Sequence, residues 1–209
     1  MDLETLRDVS NYFYRSSGIY QKLCNYFATM YRYDWYVIPE IYDEAVKEEK
    51  VVKDFSKLLN YLDNSYIKKV CSEIALTVIK NGAYYGYLVE SDNGIVLQEL
   101  PAKYCRVRYF IGNQPAIEFN MRFFDEQFAD INYRMRVLKM FPSEFAKGYI
   151  LYKQNKIQPD YTGLGGSWYL LEPGKAVKFS LGNNDIPWFV NAIPSILDLD
   201  AAQDLDRRK

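Results

Sequence analysis

The 209-residue sequence predicts an α+β fold, in which an antiparallel β-meander packs with several amphipathic helices. The meander is expected over residues 83–124, where runs rich in aromatic and branched residues are separated by the turn signals Asn93-Gly94 and Gly112-Asn113. Apolar residues at three- and four-residue spacing predict helices on both sides. We expect a single α+β region over 1–209, with helices in 1–80, the meander in 83–124, helices in 125–155, a β-hairpin in 167–182 and the start of a helix in 194–209.

The first part of the chain predicts two helices and a short strand. The first helix is expected from Asp2 to Tyr14, and Ser16-Ser17-Gly18 interrupts it and caps the second. The segment Arg32–Ile38 is a strand candidate, which Pro39 ends.

Two further helices are expected before the meander. Asp43–Leu62 is charged and amphipathic, and Ser65–Lys80 carries the most regular apolar periodicity of the chain, with Cys71 on its apolar face. Gly82 stands where a left-handed residue ends a helix.

After the meander, Asp125 is expected to cap a helix that carries Phe128 and Leu138, and Ser143 to open another. The stretches Trp168–Leu171 and Ala176–Leu181 predict two strands around a Pro-Gly turn. Within the meander, Ala116–Phe124 alternates in polarity as one strand, with Phe123 on its apolar face.

Composition argues against several functional classes. The 26 lysines and arginines balance 27 aspartates and glutamates, without the basic excess that tight sequence-independent DNA binding uses. The chain has no histidine, which removes the usual general base and the commonest metal ligand. Its three cysteines match neither a zinc site nor a disulfide framework, so we expect them to be buried apolar residues in a reducing compartment. The sequence predicts no enzyme, no cofactor, no metal and no membrane span.

Aromatic residues are the remaining candidates for function. The 20 tyrosines outnumber the 12 phenylalanines, which suits subunit interfaces and equally suits a tyrosine-rich sheet surface. For Trp35, Trp188 and Phe189, the alternative is a core aromatic residue beside a loop. The candidates for an oligomer interface are Trp35, Tyr36, Trp168, Trp188 and Phe189.

Four stretches, taken in order, resemble the portal proteins of tailed bacteriophages. They are Leu6–Pro39 with its YRSSG joint, Ala75–Glu90 with NGAYYGY, Leu100–Asp125 with LPAKYCR, and Ser167–Leu205 with SWYLLEPG. Each motif is made only of aromatic and turn residues, and the ordered set carries the resemblance.

The resemblance implies a structural protein with a portal wing-like fold. Portal proteins form a homo-oligomeric ring of about twelve subunits at one capsid vertex. The ring passes double-stranded DNA without sequence specificity during packaging and ejection, and it contacts the terminase, the major capsid protein and the head–tail connector. The location implied is the virion, and the host cytoplasm during assembly.

The stem and clip segments of such proteins are not found in this sequence, so the resemblance implies the N-terminal, wing-like portion of a longer protein. The alternative is an aromatic-faced module of phage or bacterial origin that binds protein or single-stranded nucleic acid.

Overall fold

The computed structural model describes residues 2–30, 36–38, 48–91, 94–112, 114–157, 166–182 and 184–207. Most of the strand candidate Arg32–Ile38, and the start of the helix expected from Asp43, lie outside these ranges. Residues 36–38 carry no strand. In chain order the elements are α1 (Leu3–Ser16), α2 (Gly18–Met30), α3 (Glu48–Asn64), α4 (Ile67–Asn81), β1 (Ala83–Ser91), β2 (Gly94–Leu100), β3 (Cys105–Ile111), β4 (Gln114–Asn120), α5 (Arg122–Gln127), α6 (Ile131–Met140), α7 (Ser143–Lys153), β5 (Trp168–Leu170), β6 (Ala176–Ser180) and α8 (Ile193–Arg207).

These helices and two small sheets confirm the α+β class. The chain divides into two compact units, of which unit 1 comprises Met1–Tyr84 and Phe179–Lys209 and unit 2 comprises Tyr85–Lys178. The divisions fall inside β1 and β6.

Unit 1 is a helical assembly around a small apolar core. Asp2 caps α1 by accepting a hydrogen bond from the Thr5 backbone N–H at 2.7 Å. Inside the core, the Ser10 and Tyr20 hydroxyls lie 2.8 Å apart, and both side chains are fully buried. This bond satisfies two polar groups that would otherwise be costly to bury. The buried residues of the core are Tyr20, Cys24, Ala28, Ile79, Val190, Ile193 and Ile196.

Helix α4 is buried less evenly than its periodicity predicts. Val78 and Ile79 are buried, whereas the N-terminal part of the helix is half-exposed and Cys71 is exposed. The expectation that all three cysteines are buried is therefore wrong for Cys71, because the apolar stripe at that end of α4 is only partly covered. Gly82 ends the helix with φ +78°, which confirms its expected left-handed conformation.

The strands of the expected meander belong to two separate sheets. β1 and β2 form an antiparallel hairpin in a sheet of order β2-β1-β6, and β3 and β4 form a second hairpin in a sheet of order β3-β4-β5. Pro101 and a short 3-10 turn at Ala102–Tyr104 separate β2 from β3, so the chain leaves the first sheet there.

The hairpin expected over 167–182 is wrong for a related reason. β5 pairs with β4, whereas β6 adds to β1, so the two strands lie in different sheets. The Leu88 backbone N–H donates to the Lys175 carbonyl at 2.8 Å. This bond lies directly before β6, at the point where the chain reaches β1.

Two boundaries after the meander also differ from expectation. The strand ends at Asn120, and Phe123 belongs to α5. The cap of α6 is Asp130 rather than Asp125, because the Asp130 carboxylate accepts the Tyr133 backbone N–H at 2.7 Å.

The core of unit 2 is a network of aromatic rings. Phe119 contacts Phe123, Phe124 and Phe145 with ring centroids 5.2–6.1 Å apart, mostly edge to face. Several tyrosines belong to this core and bond their hydroxyls to carboxylates, as Tyr104 does with Glu126 at 2.8 Å. Part of the tyrosine excess is therefore structural.

Candidate interaction surface

Trp188 and Phe189 belong to an aromatic cluster in unit 1. Their rings stack with centroids 5.4 Å apart and planes inclined by 21°. Phe27 of α2 meets Trp188 at 5.7 Å and Phe189 at 5.2 Å, and Tyr26 meets Phe27 edge to face at 5.4 Å. We call these four residues the aromatic patch. Trp188 is 49% exposed and Tyr26 is 64% exposed.

The end of α4 holds the loop that carries Trp188. The Gly82 N–H donates to the Val78 carbonyl at 2.7 Å, and the Trp188 N–H donates to the Ile79 carbonyl at 2.9 Å. A Cβ at position 82 would lie 1.8 Å from the Asp185 carbonyl oxygen. The loop can therefore approach the helix this closely only because residue 82 is glycine.

The inner side of the patch rests on the core of unit 1. Phe27 and Phe189 are partly buried against that core, and Val190 and Ile193 follow Phe189 directly into it. The core thus supports the patch on the side of Phe27 and Phe189, whereas Trp188 and Tyr26 remain exposed. Large aromatic groups in this situation resemble the anchors of protein interfaces, which combine a supported base with an exposed apolar face.

A shallow pocket of about 280 Å³ adjoins Trp188. Its lining combines the apolar Ile186 and Leu181 with the amides Asn184 and Asn191. The volume and the mixed polarity suit one side chain of a partner better than a drug-sized ligand.

Trp168 occupies a different environment, in unit 2. It is half-buried, and the Arg106 guanidinium lies over its ring at 4.4 Å from the centroid. Arg106 Nε and Arg108 Nη1 donate to the buried Glu118 carboxylate at 2.7 and 2.9 Å. Trp168 therefore supports an ion-paired group on the second sheet.

The structure describes one of the two remaining candidates. Tyr36 is 83% exposed. Trp35 lies outside the described residues. Among the four interface candidates that the structure describes, Trp188 and Phe189 are brought into contact.

Two carboxylates of unit 2 act as hydrogen-bonding centres. Asp125 accepts from Arg134 at 2.6 Å, and from Lys153 and the Tyr149 hydroxyl at 2.7 Å each. Burial raises the pKa of Asp125, but the bonds from Lys153 and Tyr149 and the charges of both cations outweigh it, so the pKa is lowered. Asp125 therefore ties α5 to α6 and α7.

Glu144 is the second centre. It accepts the Tyr87 hydroxyl at 2.5 Å and the Glu172 backbone N–H at 2.7 Å. Burial and the neighbouring Glu144 carboxylate raise the pKa of Tyr87. These contacts join α7 to β1 and to the chain after β5.

Within the ranges that the structure describes, no group of three or more His, Cys, Asp or Glu side chains could hold a metal ion. None of the described helices is both long enough and apolar enough to cross a membrane. Comparisons of the chain with protein-family models, curated proteins and solved structures found no match.

Sequence reasoning missed two features of the surface. It named neither Phe27 nor Tyr26 as an interface candidate, although their rings meet at the edge of the patch. It also missed an apolar groove between α6 and α7. A usable signal for the groove was present, because α6 contains three basic residues and no acidic one beside apolar residues that remain exposed.

Proposed function

We propose that this chain is a structural, self-associating protein of the tailed-phage portal type. In this proposal it contributes to a ring at a capsid vertex, through which double-stranded DNA is packaged and ejected and to which the terminase and the tail or connector attach. The four ordered sequence stretches suggest the family. The single structural observation that supports it is the aromatic patch.

The patch supports self-association on physical grounds. Tryptophan is enriched among interface residues whose removal is most costly, and a stacked pair loses little side-chain entropy when it is covered. Trp188 is held from the backbone side by its bond to Ile79, so it is already ordered before any partner binds. A half-exposed, preorganised tryptophan stacked on phenylalanine favours a protein partner.

The charge balance agrees with a passage for DNA rather than a DNA clamp. The net charge is -1. Neutralisation of phosphates would give strong, salt-dependent retention, which a protein that lets DNA slide must avoid.

The test is assembly of purified protein measured by sedimentation velocity, with Trp188→Ala as the perturbing variant and Tyr12→Ala as its control. Tyr12 is 65% exposed on α1 of the same unit, so its truncation removes an aromatic ring from outside the patch. We expect the wild type and Tyr12→Ala to form multimers, and Trp188→Ala to need at least about tenfold more protein, the usual cost of losing a central aromatic anchor.

Equal assembly by all three proteins would remove the patch from the proposal. A monomeric wild type that binds single-stranded DNA, with affinity that falls as salt rises, would replace the proposal by the nucleic-acid-binding alternative.

A further inference from the structure

The seam between α6 and α7 in unit 2 is an apolar groove. Its volume is about 360 Å³, and its apolar lining comes from Met135 and Leu138 on α6 and from Ala146, Tyr149 and Ile150 on α7. Met135 is 45% exposed and Ile150 is 53% exposed. We call it the α6–α7 groove.

Cations border this groove. Lys139, Lys153 and Gln154 complete its lining. Lys153 is engaged by Asp125, whereas Lys139 and the neighbouring exposed Arg136 have no ion-pair partner among the residues described. The α6–α7 groove therefore combines an apolar floor with positive charge that is not neutralised locally.

Helix α8 in unit 1 has the complementary character. Ile193 and Ile196 face the core, and the exposed Pro194, Leu197 and Ala201 follow one another at three- and four-residue spacing on another side. Leu197 is 50% exposed. The helix is acidic, with four aspartates and one arginine.

Asp198 borders the exposed stripe of α8. Its side chain is exposed, and no ion-pair partner is present for it in the described part of the chain. The exposed apolar stripe of α8 is complementary to the apolar floor of the α6–α7 groove. The negative charge of Asp198 beside the stripe is complementary to the positive charge of Lys139 beside the floor.

We propose that α8 of one copy of this chain docks in the α6–α7 groove of a second copy, with Leu197 against Met135 and Ile150 and with Asp198 near Lys139. This inference rests on the proposed self-association and names its contact. The helix and the groove are different surfaces of the chain, so the contact is head to tail. Repetition of such a contact generates a ring when the rotation closes, whereas a symmetric contact would stop at a dimer.

Charge reversal tests the contact. Lys139→Glu or Asp198→Lys should each raise the protein concentration for half-assembly about tenfold, since each places like charges together. The double variant Lys139→Glu/Asp198→Lys should recover most of the loss. Lys50→Glu on α3 is the matched control, because Lys50 is an exposed lysine on a helix outside both surfaces. Thermal unfolding by circular dichroism checks that each variant is folded.

Cysteine cross-linking tests it independently of affinity. In a Cys71→Ser background, which removes the exposed native thiol, a Leu197→Cys chain is mixed with an Ile150→Cys chain and oxidised. We expect a disulfide-linked dimer on a denaturing gel. A Leu197→Cys chain mixed with a Val96→Cys chain should give none, although Val96 is similarly exposed at 59%.

The outcomes separate the two proposals. Rings without the cross-link, or without rescue by the double charge reversal, overturn the α8 contact and leave self-association standing. A wild type that is monomeric at every concentration overturns both.

Discussion

Replacement of Gly82 by alanine should be among the most damaging single-methyl additions to this chain. Gly82 ends α4 with φ +78°, a conformation that side chains rarely adopt. The added Cβ would also lie 1.8 Å from the Asp185 carbonyl oxygen, where ordinary contact begins at 3.4 Å. The loop would have to retreat by about 1.6 Å, the difference between these distances.

Three contributions set the magnitude. The positive φ costs about 1 kcal/mol for a residue with a Cβ. Retreat of the loop breaks the bond from the Trp188 N–H to the Ile79 carbonyl, which is worth about 1 kcal/mol. Loosened packing of Trp188 and Phe189 on Phe27 adds about 1 kcal/mol. The expected loss is therefore about 3 kcal/mol.

Two other glycines separate these contributions. Gly112 has φ +60° and open space around its Cβ position, so Gly112→Ala should cost only the conformational part, about 1 kcal/mol. Gly18 begins α2, with neither a positive φ nor a neighbour within 4 Å, so Gly18→Ala should be neutral or slightly stabilising.

Urea unfolding followed by circular dichroism measures all three variants. With a slope of about 2 kcal/mol per molar, Gly82→Ala should lower the midpoint by about 1.5 M and Gly112→Ala by about 0.5 M. A Gly82→Ala midpoint no lower than that of Gly112→Ala would show that the loop is not in close contact with the end of α4. It would refute the conclusion that this contact holds Trp188 in place.

Three further predictions concern groups away from that loop. Tyr20→Phe leaves the buried Ser10 hydroxyl without its partner, and should lower the free energy of unfolding by about 1–2 kcal/mol in chemical denaturation; an unchanged value would mean that water replaces the bond. A thiol reagent at neutral pH should label one cysteine of the native protein, Cys71, and all three after denaturation, because burial shields the other two and raises the pKa of Cys24 to about 11. Mass spectrometry of the labelled peptides identifies the site, and labelling of Cys24 in the native protein would contradict the core assignment. Asp125→Asn should cost about 1 kcal/mol at neutral pH, since it leaves two cations with a weaker partner. Because the folded pKa of Asp125 is lowered, its contribution is present above its ordinary value of 3.8 and is lost as the pH falls below that value, so the wild type and the variant should converge in acid; a constant difference down to low pH would refute this.

Local sequence signals predicted the elements well where turn and cap chemistry decided them. Gly82 ended α4 as expected, and Ser143 begins α7. Pairing between strands was harder to predict. The strands β1 to β4 were expected in one meander, but β2 and β3 lie in different sheets. The local sequence does not indicate this separation, because the third strand of each sheet, β6 or β5, lies far along the chain.

Cap residues also competed in a way that sequence alone did not settle. Asp125 and Asp130 are both good helix caps, and the structure uses Asp130 for that purpose while Asp125 pairs with Arg134 and Lys153. The role of Asp125 depends on the position of Lys153 in α7, which is set by tertiary packing and cannot be inferred from the local sequence.

The aromatic patch was predictable only in part. Trp188 and Phe189 were candidates because they are large aromatic residues beside a loop, and the structure brings them together. Their support by Phe27 of α2 required the fold. The α6–α7 groove was missed because Met135 on α6 and Ile150 on α7 resemble core residues in the sequence. The fold was needed to show that both side chains are exposed.

The most direct test of self-assembly is the mass of the wild-type protein in solution, measured by light scattering across a range of concentrations and paired with negative-stain images of the same peak. We expect a species of many times 24.6 kDa, with ring-shaped particles that have a central hole. A single species of 24.6 kDa at every concentration, with no rings, would contradict it.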